Sequence, residues 1–224
     1  MQKQVEDILN QIKSRAKPGN REGMARFGIN VGNAYGVSVK ELRTIAKNIG
    51  TDHKLARALW KTGNHEARIL AGYVADPEEV TERQMEEWAR DFNSWDLCDQ
   101  VCSNLFDRTP YAYKKAAEWS KRDEEFVKRA GFVLMAALSV HDKRAPDAKF
   151  EKFLPVIKRH ADDDRNFVRK AVNWALRQIG KRNASLNKKA IRAAEEIGQY
   201  DSKTARWIAK DALRELRDGK IQKK

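Results

Sequence analysis

Trp95 and Asp99 are the two residues whose types and spacing best suggest chemistry. They lie in the string Ser94–Asp99 (SWDLCD), in which Ser94 predicts the N-cap of a helix. Residues four apart on a helix share one face, so the indole and the carboxylate are expected side by side. The indole can present its flat face to a sugar or a cation, and the carboxylate can stabilise a developing positive charge. The spacing alone equally allows a packing tryptophan beside a surface acid.

The neighbouring reactive side chains predict no further chemistry. Asp96, in the first turn of the same helix, is expected to interact with the helix dipole. Cys98 and Cys102 lack the spacing of a zinc site, and the four histidines form no metal-binding pattern. The Cys/His/acid grouping of a thiol enzyme is also missing, so both cysteines are predicted to pack in the core. We therefore predict no metal and no cofactor.

The sequence carries a strong excess of positive charge. Its 224 residues include 45 Lys and Arg against 32 Asp and Glu, a formal net charge of +13. Such an excess favours a polyanionic partner, because basic side chains that meet phosphates release counterions. The alternative is that the charge serves solubility alone. We find no secretory segment and no apolar run near the roughly 18 residues that predict a membrane span, so we expect a cytoplasmic, nucleoid-associated protein.

The elements that must position these residues are predicted to be helices, since no segment alternates with the period of a strand. Start and stop residues predict helices near 2–15, 52–61, 64–75, 79–92, 123–140, 147–160 and 164–181. Further helices are expected from Ser38 to Gly50, from Ser94 to before Thr109, from Pro110 onward, and after the caps Ser185 and Ser202.

Two of these helices are near copies of each other. Phe126–Ala130 (FVKRA) and Phe167–Ala171 (FVRKA) lie 41 residues apart, and each follows an acidic cluster. A repeat of this length is typical of helical solenoids. We therefore predict an all-α, single-domain, right-handed superhelical solenoid of antiparallel helix pairs with a concave basic groove. It would cover residues 1–218, with a disordered basic tail at 219–224.

Apolar positions on these helices predict the core that the repeats share. We expect it to contain Ile69, Leu70, Val133, Leu134, Val172 and Leu176. Four tryptophans lie in apolar helical patterns and are predicted to pack within or between repeats: Trp60, Trp88, Trp119 and Trp207.

Five segments occur in an order seen in one protein family: Met24–Phe27, Trp60–Ala67, Trp95–Asp99, Lys128–Ala130 and Arg169–Arg177. On these segments the chain resembles the AlkD-type DNA alkylation repair glycosylases, which are HEAT-like helical-repeat proteins, over about residues 1–217. The resemblance implies a metal-free, monofunctional enzyme that removes cationic alkylpurines, chiefly 3-methyladenine and 7-methylguanine, from duplex DNA. We expect a monomer.

The resemblance also implies roles for single residues. Trp95 and Trp174 match the two aromatic residues that contact the deoxyribose of the lesion, and Asp99 matches the catalytic acid. Arg129 matches the residue that holds the neighbouring DNA backbone. Phe27 stands where relatives commonly carry Tyr, so its ring can still pack against DNA but has no hydroxyl to offer.

A row of basic residues would extend the contact with DNA. Lys170 is the repeat copy of Arg129, and the remaining candidates for phosphate contacts are Arg169, Arg177, Lys181 and Lys203. Charged residues also occur at these places on ordinary repeat helices, so a structural role stays open for each of them.

The residue chemistry agrees with the family resemblance. An N-alkylated purine already carries a positive charge and leaves without protonation, so a site with one carboxylate, Asp99, is sufficient. Two other functions remain open. The protein could be a catalytically silent relative that binds branched or damaged DNA by shape, or a scaffold for protein interactions.

Overall fold

The computed structural model of the protein describes residues 1–218, whose regular structure consists of fourteen α-helices and one short 3-10 turn. These residues contain no strand, which confirms the all-α prediction. The predicted tail at 219–224 lies outside the described residues. The chain divides into two compact units, the first ending at Thr109 and the second beginning at Pro110. That the chain forms a single domain stays a prediction.

The first unit is built on three helices, α3, α5 and α7, of which α5 packs against both of the others. The helices α1 and α4 also pack on α5, and a 3-10 turn at Phe106–Arg108 follows α7. The helices of this unit are α1 (Gln2–Lys13), α2 (Asn20–Arg26), α3 (Val39–Ile49), α4 (His53–Lys61), α5 (His65–Val74), α6 (Glu82–Arg90) and α7 (Trp95–Asn104).

The second unit has the helices α9, α12 and α14 as its successive neighbours, with α8 packed on α9 and α13 packed on both α12 and α14. Its helices are α8 (Ala112–Trp119), α9 (Glu125–His141), α10 (Asp147–Glu151), α11 (Phe153–Arg159), α12 (Asn166–Gly180), α13 (Ala184–Gly198) and α14 (Lys203–Leu216).

The repeat seen in the sequence is a pair of stacked helices. The near copies begin the helices α9 and α12, which start at Glu125 and Asn166 and pack against each other. Their equivalent rings, Phe126 and Phe167, lie with centroids 5.7 Å apart. Burial on several sides explains why α9 is apolar nearly all round. At Gly131 an added Cβ would collide with the backbone nitrogen of Ser120, so only glycine lets α8 and α9 approach this closely.

Polar contacts between helices recur at fixed spacings. In the first unit, His53 bonds Gln84 and Trp60 bonds Asp91, each pair 31 residues apart. In the second unit, the spacing between partners is 38 residues for Asn173 with Asp211, Arg177 with Glu215, and Lys158 with Glu196. Side chains at equivalent places on neighbouring repeats thus hold each stack in register.

The helix caps follow the prediction in part. Ser38 and Ser202 cap α3 and α14, each accepting from the backbone N–H three residues on. The prediction for Ser185 was wrong: this residue lies inside α13, whose cap is Asn183, with its side chain accepting from Leu186 N–H at 2.9 Å. Asn183 caps the helix because its backbone is extended and its side-chain oxygen Oδ1 reaches a backbone N–H in the first turn.

Two helix boundaries also differ from the prediction. The single helix expected at 147–160 is two helices, α10 and α11, which meet at Lys152. Pro155 lacks the N–H that would bond the carbonyl of Glu151, and its ring crowds that carbonyl, so a regular helix is disfavoured at this point. The short helix α2 was not predicted, because none of its residues is buried and it therefore shows no apolar periodicity.

The predicted core is confirmed, with all six proposed residues at most 2% exposed. Trp60, Trp88 and Trp119 are buried as predicted, and the rings of Trp60 and Trp88 stack in parallel at 4.0 Å. The prediction for Trp207 was wrong, since this residue is 37% exposed on α14. Its apolar neighbours in sequence, Ile208 and Ala209, face the core in its place.

Candidate functional site

The helix α7 separates a packing face from a face with solvent access. Leu97 and Val101 are fully buried and hold the helix in the stack, with α5 as its main neighbour. Trp95 and Asp99 remain partly exposed, one turn apart. The arrangement expected from the spacing, an indole beside a carboxylate on one helix face, is therefore present.

The indole of Trp95 is fixed by a hydrogen bond to another part of the first unit. Its Nε1–H donates to the backbone carbonyl of Phe27 at 3.0 Å. The Phe27 ring, 74% exposed, lies at the C-terminal end of α2. Together with Met24 and Ile29, these two aromatic residues line an open cleft of about 430 Å³. An exposed phenylalanine beside an anchored indole gives the site a flat apolar surface.

The segment 27–37, which carries this carbonyl, is held against the starts of α5 and α7. The Ser94 hydroxyl accepts from Asn30 N–H at 2.9 Å. The carbonyl of Asn33 accepts from the Asn64 side chain and from the backbone N–H of His65. Ser94 stands at the N-cap position as predicted, but its hydroxyl makes no capping bond to α7, because it serves this segment instead.

A buried carboxylate anchors the other end of the same segment. Glu66 is fully buried on α5, and its carboxylate accepts from the backbone N–H groups of Tyr35, Gly36 and Val37 at 2.7–3.1 Å. Gly36 has a φ of +86°, a conformation that glycine adopts without strain and that turns its N–H toward the carboxylate. Nothing in the sequence indicates this anchor, since the partners are about 30 residues apart in a region without periodicity.

Asp96, the first acid of α7, has a structural partner. Its Oδ2 lies 2.8 Å from Nε2 of His65, and both residues are buried. The predicted place of Asp96 in the first turn of the helix is confirmed. The bond to His65 joins the starts of α5 and α7. Its partners are 31 residues apart, as are Trp60 and Asp91, and this shared spacing is the one feature of the sequence that relates to the contact.

Cys98 and Cys102 are buried thiols within the helix stack, as predicted. Burial first, and then the hydrogen bond with Cys98 and the charges of Asp99 and Asp107, raise the pKa of the Cys102 thiol well above its ordinary value. A thiol that stays protonated is a poor nucleophile. Within the described part of the chain, no group of three or more His, Cys, Asp or Glu side chains could hold a metal ion.

The second unit carries the other predicted site residues on α9, α12 and α14. Trp174 is partly exposed on α12, and once the Gln178 amide is oriented by its hydrogen bonds, the indole N–H donates to its oxygen at 2.9 Å. Lys170, one turn before Trp174, is exposed, and so is Lys203 in the first turn of α14. Arg169 lies with its guanidinium carbon 5.1 Å from the ring centroid of Trp207.

Arg129 is 5% exposed, and its Nη1 donates to the backbone carbonyl of Phe167 at 2.5 Å, near the start of α12. This bond joins the two repeat copies, so the structural role left open for Arg129 is present. Its predicted contact with the DNA backbone stays a prediction.

Arg177 and Lys181 form an ion-pair cluster with Glu215 of α14, at 2.6 Å each. Burial alone would raise the pKa of Glu215, but the hydrogen bond from Lys181 and the charges of Arg177 and Lys181 lower it overall. This pairing holds α12 and α14 together, so both basic residues have a structural role in the unbound protein.

These observations define an all-helical, basic repeat protein that presents an anchored indole and a carboxylate on one helix. The chain belongs to the family of DNA alkylation repair enzymes, whose sequence profile matches residues 8–216. This match confirms the family recognised from the sequence. Among the described residues, no helix has the length and apolar character needed to cross a membrane.

Two relatives extend this finding. The uncharacterized protein Lin0241 of Listeria innocua serovar 6a is 24% identical over 168 residues, which are 74% of this chain and 73% of the relative. A solved structure has a TM-score of 0.79 at 22% identity and covers 95% of both chains. It represents a new family of proteins related to the HEAT-like repeat DNA glycosylases, with affinity for branched DNA structures. This likeness confirms the HEAT-like helical-repeat fold class.

Proposed function

We propose that this protein is a monofunctional DNA glycosylase that hydrolyses the N-glycosidic bond of cationic alkylpurines, 3-methyladenine and 7-methylguanine, in duplex DNA. The observation that carries the proposal is the pairing of Trp95 and Asp99, one turn apart on α7 and both partly exposed. The indole is held by the Phe27 carbonyl, so it offers a fixed surface to the sugar of a lesion.

The proposed reaction requires one carboxylate. Water attacks C1′ of the deoxyribose, the C1′–N9 bond breaks, and its electron pair neutralises the positive charge of the purine. The proton of the attacking water passes to Asp99 or to solvent. Because the sugar becomes positively charged before the new bond is complete, Asp99 stabilises the transition state more than the bound lesion.

This effect can supply part of the rate enhancement. Opposite unit charges about 4 Å apart at an effective dielectric near 20 attract by roughly 4 kcal/mol. If this attraction acts only in the transition state, the rate rises by a factor of about a thousand. The net charge of +13 draws the protein to DNA independently of the chemical step.

The other predicted residues complete the proposal. Trp174 is proposed to contact the deoxyribose, and Arg129, Lys170, Arg169 and Lys203 the DNA backbone. Lys170 and Lys203 are exposed, so they can reach a phosphate without any rearrangement of the protein. Arg177 would have to share its guanidinium between Glu215 and DNA, and Arg129 would have to share its own between the Phe167 carbonyl and DNA.

The test is release of 7-methylguanine from methylated duplex DNA, measured for the wild type and Asp99→Asn under single-turnover conditions. We expect the variant to bind the duplex with wild-type affinity and to release base about a thousandfold more slowly. Asp7→Asn, which removes an exposed acid from α1, is the charge-matched control and should keep full activity. Equal release by wild type and Asp99→Asn would refute the assignment of Asp99.

A second function is favoured by one observation, the affinity of the structurally similar family for branched DNA. In this alternative the protein is a catalytically silent relative that recognises branched DNA by shape. The two functions predict opposite results for the wild type: release of free base in the first case, and tight binding of a four-way junction without release of any base in the second.

A further inference from the structure

The helix α14 presents a basic face with an indole in its middle. Lys203, Trp207, Lys210 and Arg214 follow each other at spacings of four, three and four residues, which places them on one side of the helix. All four residues are exposed. A large aromatic side chain that stays 37% exposed between cations is typical of binding surfaces, where tryptophan is enriched.

Trp207 is held in place from the neighbouring helix. The guanidinium of Arg169 lies over its ring, 5.1 Å from the centroid, yet 37% of the residue stays accessible. Two further contacts between α12 and α14 follow at one-turn intervals, Asn173 with Asp211 at 2.7 Å and Arg177 with Glu215 at 2.6 Å. The indole is therefore fixed by a cation on one side while a large part of its surface remains open.

The charges around Trp207 are available for a ligand. Lys203 and Lys210 form no ion pair within the described residues, whereas Arg214 pairs with Asp211. Lys170 on α12 is exposed as well. Lys203 and Lys210 are seven residues apart, roughly 10 Å along the helix axis. Two cations at that separation can each neutralise a different phosphate of one strand.

We infer that this face of α14 binds an unpaired segment of DNA, with a base stacked on Trp207 and the strand's phosphates beside Lys203 and Lys210. The bases of an intact duplex are already stacked on each other, so they cannot use the indole. The bases of a single strand or a flap can, and stacking on an aromatic side chain tolerates any sequence. The inference depends on the proposed function only for the identity of the polymer, DNA.

The test compares three labelled DNAs: a single strand, the matching duplex, and the duplex with a single-stranded flap. Binding is measured by anisotropy at several salt concentrations. For Trp207→Ala we expect about tenfold weaker binding of the single strand and the flap, and little change for the duplex. Trp207→Phe should restore most of the affinity, because a smaller ring can still stack. Trp207 is 37% exposed and lies beside the buried stripe of α14, which Ile208 and Ala212 form, so both variants should keep the fold.

The cations are tested by a matched pair of double variants. Lys203→Gln with Lys210→Gln should make the negative slope of log affinity against log salt for the single strand less steep by about 1.4, or about 0.7 for each phosphate that is no longer neutralised. Lys188→Gln with Arg192→Gln removes the same charge from α13, where the two residues lie one turn apart, and should change this slope less. Equal effects of the two double variants would overturn the inference.

Two further results would overturn the inference: unchanged binding of single strand and flap by Trp207→Ala, or an equally weakened binding of all three DNAs. The outcome is separable from that of the proposed function. If the wild type releases no 7-methylguanine but Trp207→Ala still binds the flap more weakly, only the glycosylase proposal fails. If base release depends on Asp99 while Trp207→Ala binds every DNA normally, only the α14 site fails.

Discussion

Glu66→Gln is expected to loosen the 27–37 segment and, with it, the anchor of Trp95. The carboxylate of Glu66 is fully buried and accepts from three consecutive backbone N–H groups. One oxygen, Oε1, accepts from all three, at 3.0, 2.7 and 3.1 Å, while Oε2 accepts only from Tyr35 at 3.0 Å. A glutamine can keep its oxygen where Oε1 of Glu66 lies, but its NH₂ group then takes the place of Oε2 and faces the Tyr35 N–H.

The magnitude follows from the three bonds. A hydrogen bond to a charged group contributes roughly 1.5–3 kcal/mol and a neutral one about 1 kcal/mol, so neutralising the acceptor weakens three bonds by about 1 kcal/mol each. We therefore expect Glu66→Gln to lower the free energy of unfolding by roughly 3 kcal/mol. Glu66→Ala leaves the three N–H groups buried without a partner and should lower it further.

The measurement has a global and a local part. Urea denaturation gives the free energy of unfolding, with Glu22→Gln, an exposed acid of α2, as the control for removal of one charge. Hydrogen exchange of the Tyr35, Gly36 and Val37 amides reports the segment itself, and the Trp95 indole N–H reports its far end at Phe27. If the variant unfolds within about 0.5 kcal/mol of the wild type and these protons exchange at unchanged rates, Glu66 does not hold the segment.

Three further predictions concern stability and reactivity. Burial alone would raise the pKa of Asp163, but hydrogen bonds from Arg165 and Lys128 outweigh it and lower the pKa to about 2, below its ordinary 3.8. The stability that this lowered pKa provides is present above pH 4 and is lost as the pH falls toward 2. The free energy of unfolding, measured with urea, should show this loss of about 1–2 kcal/mol for the wild type and not for Asp163→Asn. Gly131→Ala should destabilise by about 3 kcal/mol in the same assay, since its Cβ meets backbone, whereas Gly23→Ala meets nothing. Cys102 should react with a thiol reagent at pH 8 only after unfolding, and prompt labelling of the folded protein would contradict its burial.

The sequence predicts the helices and the core well because both depend on local or periodic signals. The start of α3 is determined by Ser38, a capping residue, and the core positions on α9 and α12 follow from helical periodicity. The interruption at Lys152 was missed although Pro155 marks it, because a proline is compatible with the first turn of a helix as well as with a break.

The candidate site is predictable in its contents but not in its supports. The spacing of Trp95 and Asp99 predicts that they share one helix face, since four residues make about one turn, and the family resemblance adds the roles expected of them. The partners that hold the site come from other elements, as Phe27 does for Trp95 and Glu66 for the segment between them. Such contacts depend on how helices stack, and a single sequence contains no local signal for them.

The error at Trp207 has a different origin. Helical periodicity assigns a face to each residue only within an uncertainty of about one position, and here the buried stripe of α14 runs through Ile208 and Ala212. A tryptophan beside that stripe is assigned to the core because it is apolar, although the surrounding Lys203, Arg206 and Lys210 mark a solvent face. The charges next to an aromatic residue were the informative signal.

Burial distinguishes the two acids of α7 and favours Asp99 as the proposed catalytic group. Asp96 and Asp99 are three residues apart on one helix, and either could stabilise a cation by charge alone. Asp96 is buried and bonded to His65 at 2.8 Å, so its charge is committed to joining two helices of the first unit. Asp99 keeps solvent access on the face that also carries Trp95. A carboxylate acts on a substrate only where the substrate can approach it, and on this helix that condition is met beside the anchored indole.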